Sequence, residues 1–83
     1  MTSLAMGRAL SFARSRDLPR LFSYFGLDAR PEHVRAHGER ISARFEVELR
    51  EIERRCSRLR EKERFVVIRA ALALAYEAAS AGG

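Results

Sequence analysis

Residues 31–60 read PEHVRAHGERISARFEVELREIERRCSRLR, and in them Val34, Ile41, Phe45, Leu49, Ile52, Cys56 and Leu59 are separated by steps of 7, 4, 4, 3, 4 and 3. Those steps hold one apolar stripe in line on a helix of 3.6 residues per turn, while arginine and glutamate fill the remaining surface. Pro31 suits a first helical position, where its missing amide hydrogen is not needed, and Glu32 beside it favours the helix macrodipole. Gly38 lies inside the helix at a cost of about 1 kcal/mol relative to alanine. It is either a tolerated flaw or a point of close packing against residues 18–25. The spacing predicts a helix over 31–59.

Toward the C-terminus no glycine or proline separates Ser57 from Arg64. A single helix from Pro31 to Ala79 would nevertheless be about 73 Å long, and so small a chain could not cover both of its halves. A turn near 59–62 and a second helix over 63–79 solve that problem and make an antiparallel pair. On this last helix Phe65, Val66, Ile68, Leu72, Ala75, Tyr76 and Ala79 form a broad inward face. Val67, Ala71 and Leu74 widen the apolar surface enough to predict a second, outward contact.

Toward the N-terminus, Asp17 reads as an N-cap, Pro19 is acceptable in a first turn, and Gly26 supplies a stop at low backbone cost. A short helix over 17–25 follows, with Leu18, Leu21, Phe22 and Phe25 on one side and its aromatic rings expected on the long helix. Residues 3–13, with Leu4, Ala5, Leu10, Phe12 and Ala13, can form another, weakened by Gly7. The expected organisation is a flexible arm or short helix over 1–16, an all-α domain over 17–80 and a tail over 81–83. No strand pattern or internal repeat interrupts it.

The chain has 83 residues, one domain's worth, and its net charge of +5 comes from 16 basic and 11 acidic side chains, 15 of the basic ones arginine. At this size only roughly 60 to 65 per cent of the unfolded surface is buried on folding, so a homo-oligomer or a complex is expected. Cys56 is the only cysteine. That excludes an intrachain disulfide and a multi-cysteine metal site, and fits a reducing, cytoplasmic setting. The apolar run from Phe65 to Ala79 is interrupted by Arg69 and Glu77 and is shorter than the ~20 residues of a membrane span.

Catalytic equipment is missing. His33 and His37 are four apart but lack the His-Glu-x-x-His arrangement of zinc hydrolases, and read as surface or partner-contact residues. Cys56 lies on the apolar stripe, where a small thiol packs in a core or an interface. No phosphate loop, paired carboxylates or serine with a base appears. No catalytic residue, metal or cofactor is expected, and binding is the expected role. Arg35, His37, Arg40, Arg44, Arg50 and Arg54 flank the stripe and are the candidate contacts to an acidic partner. Cys56, Val67, Ala71 and Leu74 are the candidate oligomer contacts. Nucleic acid is the alternative partner, through Arg54, Arg55, Arg58, Arg60, Lys62 and Arg64. Interleaved glutamates oppose that alternative, and no recognition helix is evident.

Phe22-Ser-Tyr-Phe-Gly-Leu-Asp-Ala-Arg-Pro31, followed by Val34, Ile41, Arg44-Phe45 and Leu49, resembles the front half of the nitrogenase-stabilising/protective NifW family. That family carries a phenylalanine-rich Phe-Gly-Val segment, a proline soon after it, and a helix ending in Arg-Phe-x-x-Tyr-Leu. Leu72-Ala-Leu-Ala-Tyr-Glu-Ala79 is similar to the family's later Leu-x-x-Ala-Tyr-Glu-Asp-Phe segment, so the resemblance runs in order over residues 17–79. Departures occur as well. His37-Gly-Glu-Arg-Ile-Ser42 stands where the family has Asn-Arg-Leu-His-Ile-Leu, Glu48 stands at the motif tyrosine, and the family's terminal tail is missing after Ser80. The resemblance implies a non-catalytic accessory role in nitrogen fixation: binding the nitrogenase molybdenum-iron protein, oxygen protection or help in its assembly, and self-association.

Overall fold

The structure, a computed structural model, describes residues 3–81, with side chains through Ala79. Met1 and Thr2 of the expected arm, and Gly82 and Gly83 of the expected tail, lie outside the described residues. Four helices follow in order: α1 (Leu4–Arg14), α2 (Leu18–Tyr24), α3 (Pro31–Arg55) and α4 (Glu61–Ala81). The described residues contain no strand.

Helix α3 sets the length of the molecule. Its 25 residues span about 37 Å at 1.5 Å per residue, which matches the long dimension of 36 Å. Helix α4 returns along it, so that His33 near the start of α3 meets Tyr76 near the end of α4. Ile41, Phe45 and Leu49 from α3 and Ile68, Leu72 and Ala75 from α4 are completely buried between the two. Val34 and Cys56, at the ends of the expected stripe, are only partly buried.

Helix α3 stops at Arg55 instead of residue 59, and the turn occupies residues 56–60 instead of 59–62. Side chains from the next helix hold this end. Arg64 donates from Nη2 to the carbonyls of Cys56 and Ser57, at 3.3 and 2.9 Å, and satisfies acceptors the helix leaves open. Glu63 accepts from the amide of Arg60 at 3.0 Å, which starts α4 two residues earlier than its apolar pattern.

Helix α1 is docked within the single chain by alanines and one methionine: Ala5, Met6, Ala9 and Ala13 are buried, whereas Leu4 points outward. Its start is tied to that of α4. Glu61 Oε1 accepts from the amide of Ala5 at 2.7 Å and from the hydroxyl of Ser3 at 3.1 Å. Its end is a Schellman turn in which Arg16 N donates to Ala13 O and Asp17 N to Phe12 O, with Arg16 in the left-handed region at φ 59°. Helix α2 ends the same way, with Gly26 in that conformation at φ 68°. Asp17 accepts from the amide of Arg20, as the N-cap reading expects.

The rings of α2 and its C-cap find their aromatic partners on α4 and, for Tyr24, on Phe12 of α1, not on α3. Phe25 and Phe65 lie 4.9 Å apart between centroids, and Phe22 meets Tyr76 edge-on at 5.5 Å. What α2 presents to α3 is Leu18, whose Cδ1 would be 3.3 Å from a Cβ added at Gly38. Close packing is therefore the reason for that glycine. The preceding residue, His37, leaves helical geometry at φ −124° and ψ 15°, so α3 bends where α2 crosses it.

Candidate functional site

The outer side of α3 carries a row at alternating steps of four and three: Ala36, Arg40, Ala43, Val47, Arg50 and Arg54, all exposed. None of the other described helices covers it. Its small residues leave the backbone approachable, and Val47, 52% exposed, is the only large apolar side chain that α3 gives to solvent. Arg40 and Arg50 form no ion pair among the described residues, whereas Arg54 is held by Glu51 at 2.9 Å. Arg44 lies beside the row, its Nε 3.1 Å from Glu48. Such exposed pairs are worth roughly 0 to 1 kcal/mol and yield readily to a partner. Glu32, Glu39, Glu46 and Glu53 recur every seven residues along α3, so the arginine row has an acidic flank.

Three of the six expected partner contacts fall outside this row: Arg44 beside it, and His37 and Arg35. His37 is half-buried, its ring tilted at 54° against that of His33 with 4.7 Å between centroids, and His33 in turn lies 4.3 Å from Tyr76. His33 Nε2 is 3.1 Å from the carbonyl oxygen of Tyr76, and Tyr76 Oη accepts from the amide of Arg30 at 3.0 Å. These groups join the ends of the helix pair. Arg35 is exposed at the edge of an open groove between α2 and α3, beside Phe22, Leu27, Val34 and Asp28.

The expected oligomer contacts need correction. Ala71 is 6% exposed and belongs to the core, and Val67 and Cys56 are half-buried. Leu74 is 62% exposed as expected, and so is Val66, which the inward face was expected to include. Helix α4 is apolar on most of its circumference, so its spacing does not say which part turns inward. Arg69 helps decide: it donates from Nε to Phe25 O at 2.9 Å and from Nη2 to Gly26 O at 3.4 Å, fixing the rotation of α4 against the end of α2. An arginine interrupting an apolar run was the available signal for that role.

The six cations of the nucleic-acid alternative do not form one surface. Arg54 and Arg55 share Glu51, and Arg64 is committed to the carbonyls at the end of α3. Arg58, Arg60 and Lys62 are exposed at the turn, among Glu53, Glu61 and Glu63. Helix α3 carries six cations and six carboxylates and α4 three of each, so the whole net charge of +5 resides in the seven arginines and two aspartates outside them. Arg8, Arg14, Arg16 and Arg20, all exposed, supply most of it. Attention to the long helix passes over them.

Among the described residues, no three His, Cys, Asp or Glu side chains are grouped to hold a metal ion. No described helix is long and apolar enough to cross a membrane. No protein-family model, no curated protein and no solved structure matches this chain.

Proposed function

We propose that this chain is a non-catalytic binding protein that docks the outer face of α3 on an acidic protein surface. The observation that carries this reading is the uncovered row Ala36, Arg40, Ala43, Val47, Arg50 and Arg54 on one helix anchored by a buried opposite face. Guanidinium groups pair bidentately with carboxylates, and small residues between them let a partner approach closely. The arginines of α1, α2 and the turn add a long-range attraction that raises the rate of encounter with an acidic partner.

The resemblance over residues 17–79 gives that partner an identity: the molybdenum-iron protein of nitrogenase, which this chain protects or helps to assemble in the cytoplasm. In support of it, the two resembling segments form one structural unit here, with Phe22 against Tyr76 and Gly26 at the turn between α2 and α3. Protection needs no turnover. A small protein that covers a vulnerable surface, or favours one conformation of its partner, acts by mass action.

Arg58, Arg60 and Lys62, exposed together at the α3–α4 turn, favour nucleic acid as the second reading. The experiment is binding of the purified chain to purified molybdenum-iron protein and to duplex DNA at physiological salt, with affinity capture from nitrogen-fixing cells alongside. Saturable binding to the nitrogenase component and none to DNA is the expected result. Recovery of no nitrogenase component, with salt-sensitive DNA binding at micromolar affinity, replaces the first reading by the second.

A further inference from the structure

His33 and His37, the two histidines of the chain, stand one turn apart on α3 with 4.7 Å between ring centroids and 54° between ring planes. The spacing of four brings them to one face, and both are half-buried. The contact between His33 Nε2 and the carbonyl oxygen of Tyr76, at 3.1 Å, fixes the tautomer of that ring. A carbonyl oxygen can only accept, so Nε2 carries the proton and Nδ1 keeps its lone pair. A neutral imidazole that donates from one nitrogen to a backbone carbonyl and leaves the other open is oriented as metal-binding histidines are. His37 makes no side-chain hydrogen bond among the described residues, so either of its nitrogens can offer a lone pair. With Arg35, Gly38, Glu39 and Arg40 it lines a recess that opens to solvent at the bend of α3.

We infer that His33 and His37 form a two-nitrogen site for a divalent late first-row metal ion, with Cu²⁺ the tightest. Two imidazoles sharing an ion at about 2.0–2.1 Å from nitrogen hold their ring centres roughly 4.5 Å apart at a right angle and roughly 5.2 Å apart at a tetrahedral angle. The observed 4.7 Å lies nearer the right angle, the arrangement of neighbouring positions in a tetragonal Cu²⁺ or Ni²⁺ site. The order of affinities for nitrogen ligands then places Cu²⁺ above Ni²⁺ and Zn²⁺. Water completes the coordination, because no third His, Cys, Asp or Glu among the described residues is grouped with the pair. Exposed Arg35 and Arg40 oppose the ion, and Glu39, which attracts it, is already 3.5 Å from Arg16. Two ligands beside such a rim limit binding to a dissociation constant on the order of 10 μM. His37 is the residue at which α3 leaves helical geometry, and His33 is tied to the end of α4 through Tyr76. An ion held by both joins the bend to the helix pair, and so binds the folded chain better than the unfolded one.

The test is calorimetric titration of the full chain with Cu²⁺, Ni²⁺ and Zn²⁺ in a non-coordinating buffer near neutral pH. Cys56→Ser and an acetylated N-terminus remove the competing thiol and amine. One Cu²⁺ should bind per chain, about tenfold or more tightly than Ni²⁺ or Zn²⁺. His33→Ala and His37→Ala each leave a single imidazole and should weaken Cu²⁺ binding at least about thirtyfold. His37→Ala removes a ring without a hydrogen bond, so its helical circular dichroism should match the parent's and keep the test valid even where loss of the Tyr76 contact loosens His33→Ala. In proton NMR, substoichiometric Cu²⁺ should broaden the two histidine ring signals before any others. A tenfold excess of the ion over its dissociation constant should raise Tm by about 5 °C in the parent and in neither variant. No saturable binding below about 1 mM, single variants that bind as tightly as the parent, first broadening outside the two rings, or one ion per two chains would each overturn the inference.

Discussion

Helices α3 and α4 turn equivalent chemistry inward and different chemistry outward. Ile41, Phe45 and Leu49 on one are buried as completely as Ile68, Leu72 and Ala75 on the other. Outside, α3 shows arginine and alanine beside a glutamate flank, whereas α4 shows Val66, Ala70 and Leu74 between one lysine and one glutamate. Both helices are electrically balanced, so the difference is one of arrangement: α3 turns charged side chains to solvent, and α4 turns an apolar row to it. The buried faces hold the fold, and the outer faces are free to differ.

The largest effects should come from the shared interior. Phe45→Ala should cost about 3–5 kcal/mol and Leu72→Ala about 2–5 kcal/mol in urea denaturation, since each leaves a cavity in a small core. A loss at Leu72 below about 1 kcal/mol would break the equivalence of the two inner faces. Next come two positions where the chain carries a local cost. Ser42 is buried on α3, and its hydroxyl has no hydrogen-bond partner among the described residues. Ser42→Ala should raise stability by about 1 kcal/mol, by removing that group and improving helix propensity. Arg16 occupies a left-handed turn position suited to glycine, and Arg16→Gly should stabilise by a similar amount of about 1 kcal/mol in the same assay.

A smaller effect separates α1 from the helix pair. The Ala5 amide holds the Glu61 carboxyl below its usual value of 4.5, burial opposes the shift, and the Ser3 hydroxyl, the Leu4 amide and the Arg64 charge assist it. Because the folded-state pKa is depressed, this contact stabilises fully above the usual carboxyl range and is lost as pH falls through the folded value. Amide hydrogen exchange should therefore show α1 losing protection at acid pH before α3 and α4 do. Glu61→Ala should produce the same loosening at neutral pH, and equal protection of all three helices down to acid unfolding would contradict it.

The inner face of α3 was legible in the spacing because most of the remaining surface of α3 is charged: Ile41, Phe45, Leu49 and Ile52 are the buried residues that its stripe predicts. Asp17 and Gly26 marked the ends of α2 and Pro31 the start of α3 through backbone chemistry that acts locally. The end of α3 was not legible, since Arg64 and Glu63 fix it from the next helix. Nor was the rotation of α4, where Val66 and Ala71 exchange their expected sides because apolar residues surround most of the helix. Of the candidate site, Arg40, Arg50 and Arg54 could be read from spacing along a straight helix. The spacing of four puts His37 beside His33, but that His33 in turn lies against Tyr76 depends on the return of α4, which spacing within α3 does not show.

The outer faces are separated most directly by comparing two charge-altered chains as ligands of purified molybdenum-iron protein in calorimetry at physiological salt. One carries Arg40→Glu and Arg50→Glu on α3, and the other carries the exchanged pair Lys62→Glu and Glu77→Lys on α4. The first should bind at least about tenfold more weakly than the parent, with unchanged thermal stability, and the second within about threefold of it. Equal affinity of both altered chains and the parent for the nitrogenase component, or no binding by any of the three, would contradict docking through α3.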